Sequence, residues 1–153
     1  MDLVLWRHAE AEDVHHQRSD DERELTAKGR KQAQKIAAWL LPQLPKETRI
    51  VVSPAARTIQ TVESLNRIFE TSELVSTRGS LSDHLAAARW PADHTALLVG
   101  HQPTLGQLAA LLMSGHPHHW ELKKGAVWWL RSAPEGSDGY ATLRVAMLPG
   151  MVE

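Results

Sequence analysis

The chain has 153 residues, the size of one ordinary domain, and a formal net charge of -1, so no overall basic field favours nucleic acid or an anionic membrane. It contains no cysteine, which excludes disulfides, thiolate catalysis and cysteine-based zinc sites. No apolar run approaches the roughly 18 residues that span a bilayer, and the first residues read as a strand rather than a cleavable leader; the expectation is one soluble, cytoplasmic domain over residues 1–153.

In chain order, Leu3-Val4-Leu5-Trp6 predicts a buried strand that runs without a spacer into Arg7 and His8. Burying an unpaired charge costs several kcal/mol, so Arg7 is expected to emerge at the strand's end or to meet an anion. The polar stretch from Glu10 to Glu24 reads as a long surface loop. Thr26 is expected to cap a helix in which Ala33, Ile36, Ala37 and Leu40 recur at helical spacing, with Pro42 and Pro45 closing it. Arg49 to Val52 predicts a second strand, followed by a helix that places Thr58, Val62, Leu65 and Phe69 on one stripe.

Glu73 to Ser76 is expected as a third strand, Ser82 as the cap of a short helix through Arg89, and Thr95 to Val99 as a fourth strand. A helix from about Pro103 to Met113 follows. Ala126 to Arg131 and Tyr140 to Met147 read as two strands joined by Ala-Pro-Glu-Gly-Ser-Asp-Gly, an antiparallel pair at one edge. Strands alternating with helices predict an α/β fold: a mostly parallel central sheet flanked by helices on both faces, with an antiparallel edge.

Three of these strands end alike. The first runs into Arg7-His8, the second into Ser53-Pro54 with Arg57 shortly after, and the fourth into His101. In an open α/β sheet ligands lie outside the carboxyl ends of the strands, so parallel neighbours would bring two arginines and two histidines to one edge. Arg57 falls in the first turn of a predicted helix, where free N–H groups also favour an anion. Guanidinium groups with imidazoles, and no metal cluster beside them, suit the oxygens of a phosphoryl group in flight. The nucleophile embedded among these cations is a histidine, which can attack phosphorus through one nitrogen while a carbonyl holds its other N–H. The two nearby guanidinium groups are expected to keep His8 neutral.

The Arg7-His8 pair together with LTAKGRKQA, VVSPAARTIQT and LLVGHQPTLGQLAALL resembles the histidine phosphatase superfamily, also called phosphoglycerate mutase-like, as far as about Leu112. The short length, the RHAEA core and DDERELTAKG look most like its SixA branch of phosphohistidine phosphatases. Position by position, the resemblance implies that His8 is the nucleophile and that Arg7, Arg57 and His101 clamp the phosphate. The departure is Ala9, where the larger superfamily has glycine.

Larger relatives carry an acid after the third strand, and in TRGSLSDHLAAARW only Asp83 and His84 offer themselves; Asp83 is the candidate. Phosphohistidine needs little help from such a group, because imidazole leaves readily once protonated. Arg18 and Arg23 stand in the acidic loop, either as loop-pairing charges or, for Arg23, as a substrate contact. Ser53 and Pro54 read as shapers of a turn. His15, His16, His116, His118 and His119 invite a metal reading, but their spacing fits no ligand pattern, and neither a metal nor another cofactor is expected. The short stretch from Glu73 to Thr95 leaves no chain for a lid domain, so the expected partner is a phosphohistidine-bearing protein, such as a histidine phosphotransfer domain, with inorganic phosphate as product. A phosphatase of small phosphomonoesters and a non-catalytic phospho-binding module are the alternatives.

Overall fold

A computed structural model describes residues 1–14 and 18–153. Ten regular elements follow one another: β1 (Asp2–Arg7), α1 (Ala27–Leu40), β2 (Arg49–Val52), α2 (Ala56–Glu63), β3 (Glu70–Thr71), α3 (Leu81–Ala88), β4 (Thr95–Gly100), α4 (Thr104–Ser114), β5 (Val127–Arg131) and β6 (Thr142–Met147). The strands form one sheet in the order β3-β2-β4-β1-β5-β6. The first four strands run parallel, while β5 is antiparallel to both β1 and β6. The fold is the expected α/β arrangement with an antiparallel edge.

Alternation along the strands divides the core between the two faces of the sheet. Val4 and Trp6 of β1 pack with Ile36, Ala37 and Leu40 of α1 and Val62 of α2. Leu3 and Leu5 point the other way, to Ala87 and Ala88 of α3 and Leu105, Leu108 and Ala109 of α4. No helix among the described residues is long and apolar enough to cross a membrane.

Register positions the site. Arg7 pairs with Gly100 across β1 and β4, and Val52 with Val99 across β2 and β4, so all three carboxyl ends finish level. The next residues stay in step: the His8 amide donates to the Gly100 carbonyl at 3.1 Å and the Ser53 amide to that of Val99 at 3.0 Å.

Three sequence expectations need correction. The helix after β2 stops at Glu63 rather than Phe69, because the chain turns through Asn66 at φ 53°, a left-handed conformation that asparagine tolerates; Leu65 is nonetheless buried. The third strand is Glu70–Thr71, and Glu73–Val75 is a single 3-10 turn whose cap, Ser72, accepts from the Leu74 amide. The cap of α3 is Ser80, not Ser82.

Candidate active site

Two anchors shape the loop that leaves β1. Thr26 caps α1 by accepting from the Gly29 amide at 3.0 Å, and its hydroxyl donates to the Glu10 carboxylate at 2.7 Å. The Thr26 amide also donates to the Glu10 carbonyl at 3.0 Å. Gly29 makes the approach possible, since a Cβ there would stand 2.0 Å from the Glu10 carbonyl oxygen. The second anchor is Thr61 of α2, whose hydroxyl accepts from the Ala9 amide at 3.1 Å. Ala9 is fully buried and is not among the residues with positive φ, so its methyl group carries no backbone strain in place of glycine.

His8 leaves this framework with both of its roles assigned. Its Nδ1 lies 2.7 Å from the Ala9 carbonyl oxygen. A carbonyl only accepts, so Nδ1 carries the proton and Nε2 keeps its lone pair. Burial is the main force pushing the His8 pKa down to about 3; the charges of Arg57, Arg7 and Arg23 add to it, against the opposing bond to Ala9. Neutrality was expected from the guanidinium groups alone, whereas removal from water is the larger cause.

His101 stands 5.5 Å from His8 between ring centroids. Arg57 Nη2 donates to its Nδ1 at 3.3 Å, so its Nε2 carries the proton and donates to Ser53 Oγ at 2.8 Å. Burial and then the Arg57 charge push the His101 pKa down to about 3. With Nδ1 already accepting, His101 becomes a donor to a phosphoryl oxygen on gaining a proton or changing tautomer, which an incoming dianion favours.

The arginines are held by different partners. Arg7 Nη1 donates to the Leu122 carbonyl at 2.9 Å, and burial lowers its pKa. Arg57, whose side chain is 3% exposed, donates from Nη1 to the Asp20 carbonyl at 2.6 Å and from Nη2 to the Asp20 carboxylate at 3.0 Å. The Nε atoms of both Arg7 and Arg57 are buried with no hydrogen-bond partner. A buried donor left unmatched is costly unless a ligand meets it.

Arg7, His8, Arg57 and His101, the four groups placed at one sheet edge by the strand ends, line a cavity of about 300 Å³ together with Arg23 and Asp20. Arg23 donates to the Asp20 carboxylate from Nε at 3.0 Å and to the Glu12 carbonyl at 2.7 Å, so it serves the loop as well as the cavity.

Asp83 is not part of this group. Its carboxylate accepts from the Ser80 amide at 3.0 Å while Ser80 Oγ accepts from the Asp83 amide at 3.0 Å, a capping box that closes the first turn of α3. The expectation of an acid at Asp83 is thus corrected: its partner is a helix end, and it does not line the cavity. His84 is buried in α3 with Nδ1 donating to the Ser80 carbonyl at 2.7 Å. His116 and His118 face each other at 6.0 Å and His118 stacks near Trp120, while His15 and His16 lie outside the described residues. Among the described residues, no three His, Asp or Glu side chains gather as a metal site would require.

Two contributions escaped the sequence reading. Ser53 holds His101 as well as shaping a turn, and Asp20 brings a carboxylate into the cation cluster from a loop read as surface. The available signal was chemical: buried arginines demand an anion, and the loop after β1 carries acidic residues at Glu10, Glu12, Asp13 and Asp20-Asp21-Glu22.

A family model described as the histidine phosphatase superfamily, branch 1, matches residues 3–83. An uncharacterized protein of Picosynechococcus is 38% identical over 146 residues, with 86% of each chain covered. A Haemophilus influenzae protein named as a phosphohistidine phosphatase SixA homolog is 30% identical over 128 residues, covering 73% of this chain and 77% of that one. A solved structure of the protein histidine phosphatase SixA complexed with tungstate aligns over the whole of both chains with a TM-score of 0.79 at 24% identity, a likeness of fold.

Proposed function

The chain belongs to the histidine phosphatase superfamily, and from that premise we propose that it removes phosphate from a phosphohistidine carried on a signalling protein, such as a histidine phosphotransfer domain, through a covalent phospho-His8 intermediate. The observation that carries this reading is the state of His8: its Nδ1 proton is committed to the Ala9 carbonyl, and its unprotonated Nε2 belongs to a ring that lines a cavity with Arg7, Arg57 and His101. Nε2 attacks phosphorus as the leaving group departs, and water then cleaves the phosphoenzyme to inorganic phosphate. Arg7 and Arg57 hold the phosphoryl oxygens, with unpartnered Nε donors to spare, and His101 supplies a further donor.

Substrate size supports a protein-borne group. Between β3 and β4 the chain has one α-helix of eight residues, α3, and the cavity is small and open to solvent. A side chain presented by another protein reaches such a site without a lid. The test is a side-by-side assay on a phosphohistidine protein and a set of alkyl phosphomonoesters, with His8→Ala as control. Preference for the phosphohistidine protein is expected; better turnover of the monoesters would transfer the assignment to small metabolites, and tight phosphate binding with no turnover would make the chain a binding module.

A further inference from the structure

Both guanidinium groups that face the cavity from the loop side and the helix side grip one carboxylate. Asp20 accepts from Arg57 Nη2 at 3.0 Å and from Arg23 Nε at 3.0 Å, and Arg23 Nη2 makes an ion pair with the same carboxylate at 3.0 Å. Its backbone carbonyl also accepts from Arg57 Nη1, so main chain and side chain are fixed to the same guanidinium. The carboxylate is half exposed, while Arg57 beneath it is almost fully buried. Asp13 lines the cavity as well, but no hydrogen bond or ion pair among the described residues ties it to these arginines.

We propose that Asp20 is the proton acceptor that activates water for hydrolysis of phospho-His8, a role that rests on the reading of His8 as nucleophile and deepens it. An arginine has five N–H donors. Three of Arg57's are engaged, two by Asp20 and one by His101. A phosphoryl oxygen that takes a remaining donor shares the guanidinium with Asp20, which sets the carboxylate beside the phosphorus. Its side chain lines the cavity and is half exposed, so water has access to it.

In this step the water oxygen attacks phosphorus while its proton passes to Asp20. The P–Nε2 bond breaks, and its electron pair returns to His8, which ends neutral with Nδ1–H still on the Ala9 carbonyl. The products are hydrogen phosphate and a protonated Asp20, which returns its proton to solvent. Partial burial works against ionisation of Asp20, but the adjacent Arg57 and Arg23 outweigh it and hold its pKa below the usual carboxylate range. Such a group is ionised when substrate binds and has no proton to give in the preceding step; as an acceptor it is a weak base, and its part in the second step rests on its place in the cavity. That asymmetry selects substrates whose leaving group needs no protein acid, as phosphohistidine does by departing as neutral imidazole.

The two steps can be read separately with phosphoramidate, a small P–N donor, using an alkaline quench that preserves phosphohistidine and mass spectrometry to locate it. In Asp20→Asn, phospho-His8 should form within about threefold of the wild-type rate, then persist after dilution from donor with decay slowed on the order of a hundredfold. Asp20→Glu should recover part of the decay rate. Formation with wild-type decay in Asp20→Asn would overturn the role of Asp20 and leave the nucleophile standing. Equal losses in both steps would make Asp20 a prop for Arg57, and faster turnover would make it a competitor of phosphate; either overturns the proposal. If the wild type hydrolyses phosphoramidate yet never carries phosphate on His8, the functional reading falls and this inference with it.

Discussion

The two ends of β1 treat charge in opposite ways. At its start, Asp2 is saturated: its carboxylate accepts from Trp129 Nε1 at 3.0 Å, Arg131 Nε at 2.9 Å and Arg144 Nη1 at 2.9 Å, and Arg144 also lies 5.6 Å over the Trp129 ring. At its finish, Arg7 and His8 meet Arg57, Arg23 and His101 around a cavity where only Asp20, among the described residues, pairs with an arginine, and two guanidinium Nε atoms remain unmatched. The saturated end ties β1 to the antiparallel edge. The unsaturated end is a site prepared for an anion, because the missing partners are those a phosphoryl group supplies.

Breaking the unsaturated end at its nucleophile should have the largest effect. His8→Ala is expected to remove phosphatase activity by roughly a thousandfold or more while the circular dichroism spectrum and bound phosphate persist. A residual rate near wild type would move the nucleophile elsewhere.

Arg57→Ala comes next, with an expected loss on the order of a hundredfold in kcat/KM, since it removes a charge that meets the transferring phosphoryl group. Arg131→Ala at the other end of β1 removes a comparable guanidinium from Asp2 and should leave kcat/KM unchanged. Steady-state kinetics of the two variants together decide whether the contrast between the ends is functional or merely a difference in local ion pairing.

A pH experiment sharpens the same contrast. Burial depresses His8 and His101 from an ordinary 6.5 to about 3. Between those values the unfolded chain binds protons that the folded chain refuses, so stability is present above pH 6.5 and is lost as pH falls toward 3. Urea unfolding at pH 7 and pH 4 should show this, and His101→Gln should flatten the dependence by on the order of 1 kcal/mol or more. An NMR titration with His8 protonated at pH 7 would contradict the neutral nucleophile.

The site was legible to the extent that it sits on strand ends. Arg7, His8 and His101 follow directly from apolar runs, and a parallel register brings such ends level whatever the loops do. Arg57 was reachable because α2 begins right after β2. Asp20 was not, because a loop's path depends on tertiary anchors, here Arg57 and Arg23 reaching for its carboxylate, and no period in the sequence encodes that. The fold shows the same division. The α1 cap at Thr26 and its buried stripe are local features and were readable. The end of α2 was not, because Leu65 satisfies the helical stripe while already beyond the helix, buried by the turn at Asn66.

The smallest expected effect belongs to Asp83, which separates a carboxylate near the site in sequence from one inside it. Its oxygen accepts from the Ser80 amide, and that bond is the first cause of its lowered pKa; the group is solvated and has no contact with the cation cluster. Asp83→Asn keeps an oxygen that can accept the same bond, so both kcat/KM and fold should be nearly untouched. Asp83→Ala removes half of the capping box and should lower Tm by about 2 °C or less, again without a change in kcat/KM. The two variants therefore split stability from catalysis at a position where helix capping and acid catalysis predict different outcomes. A tenfold loss of activity in Asp83→Asn, with Tm unchanged, would mean that α3 rearranges to bring this carboxylate to substrate, and Asp20 would then no longer be the carboxylate that distinguishes the unsaturated end of β1.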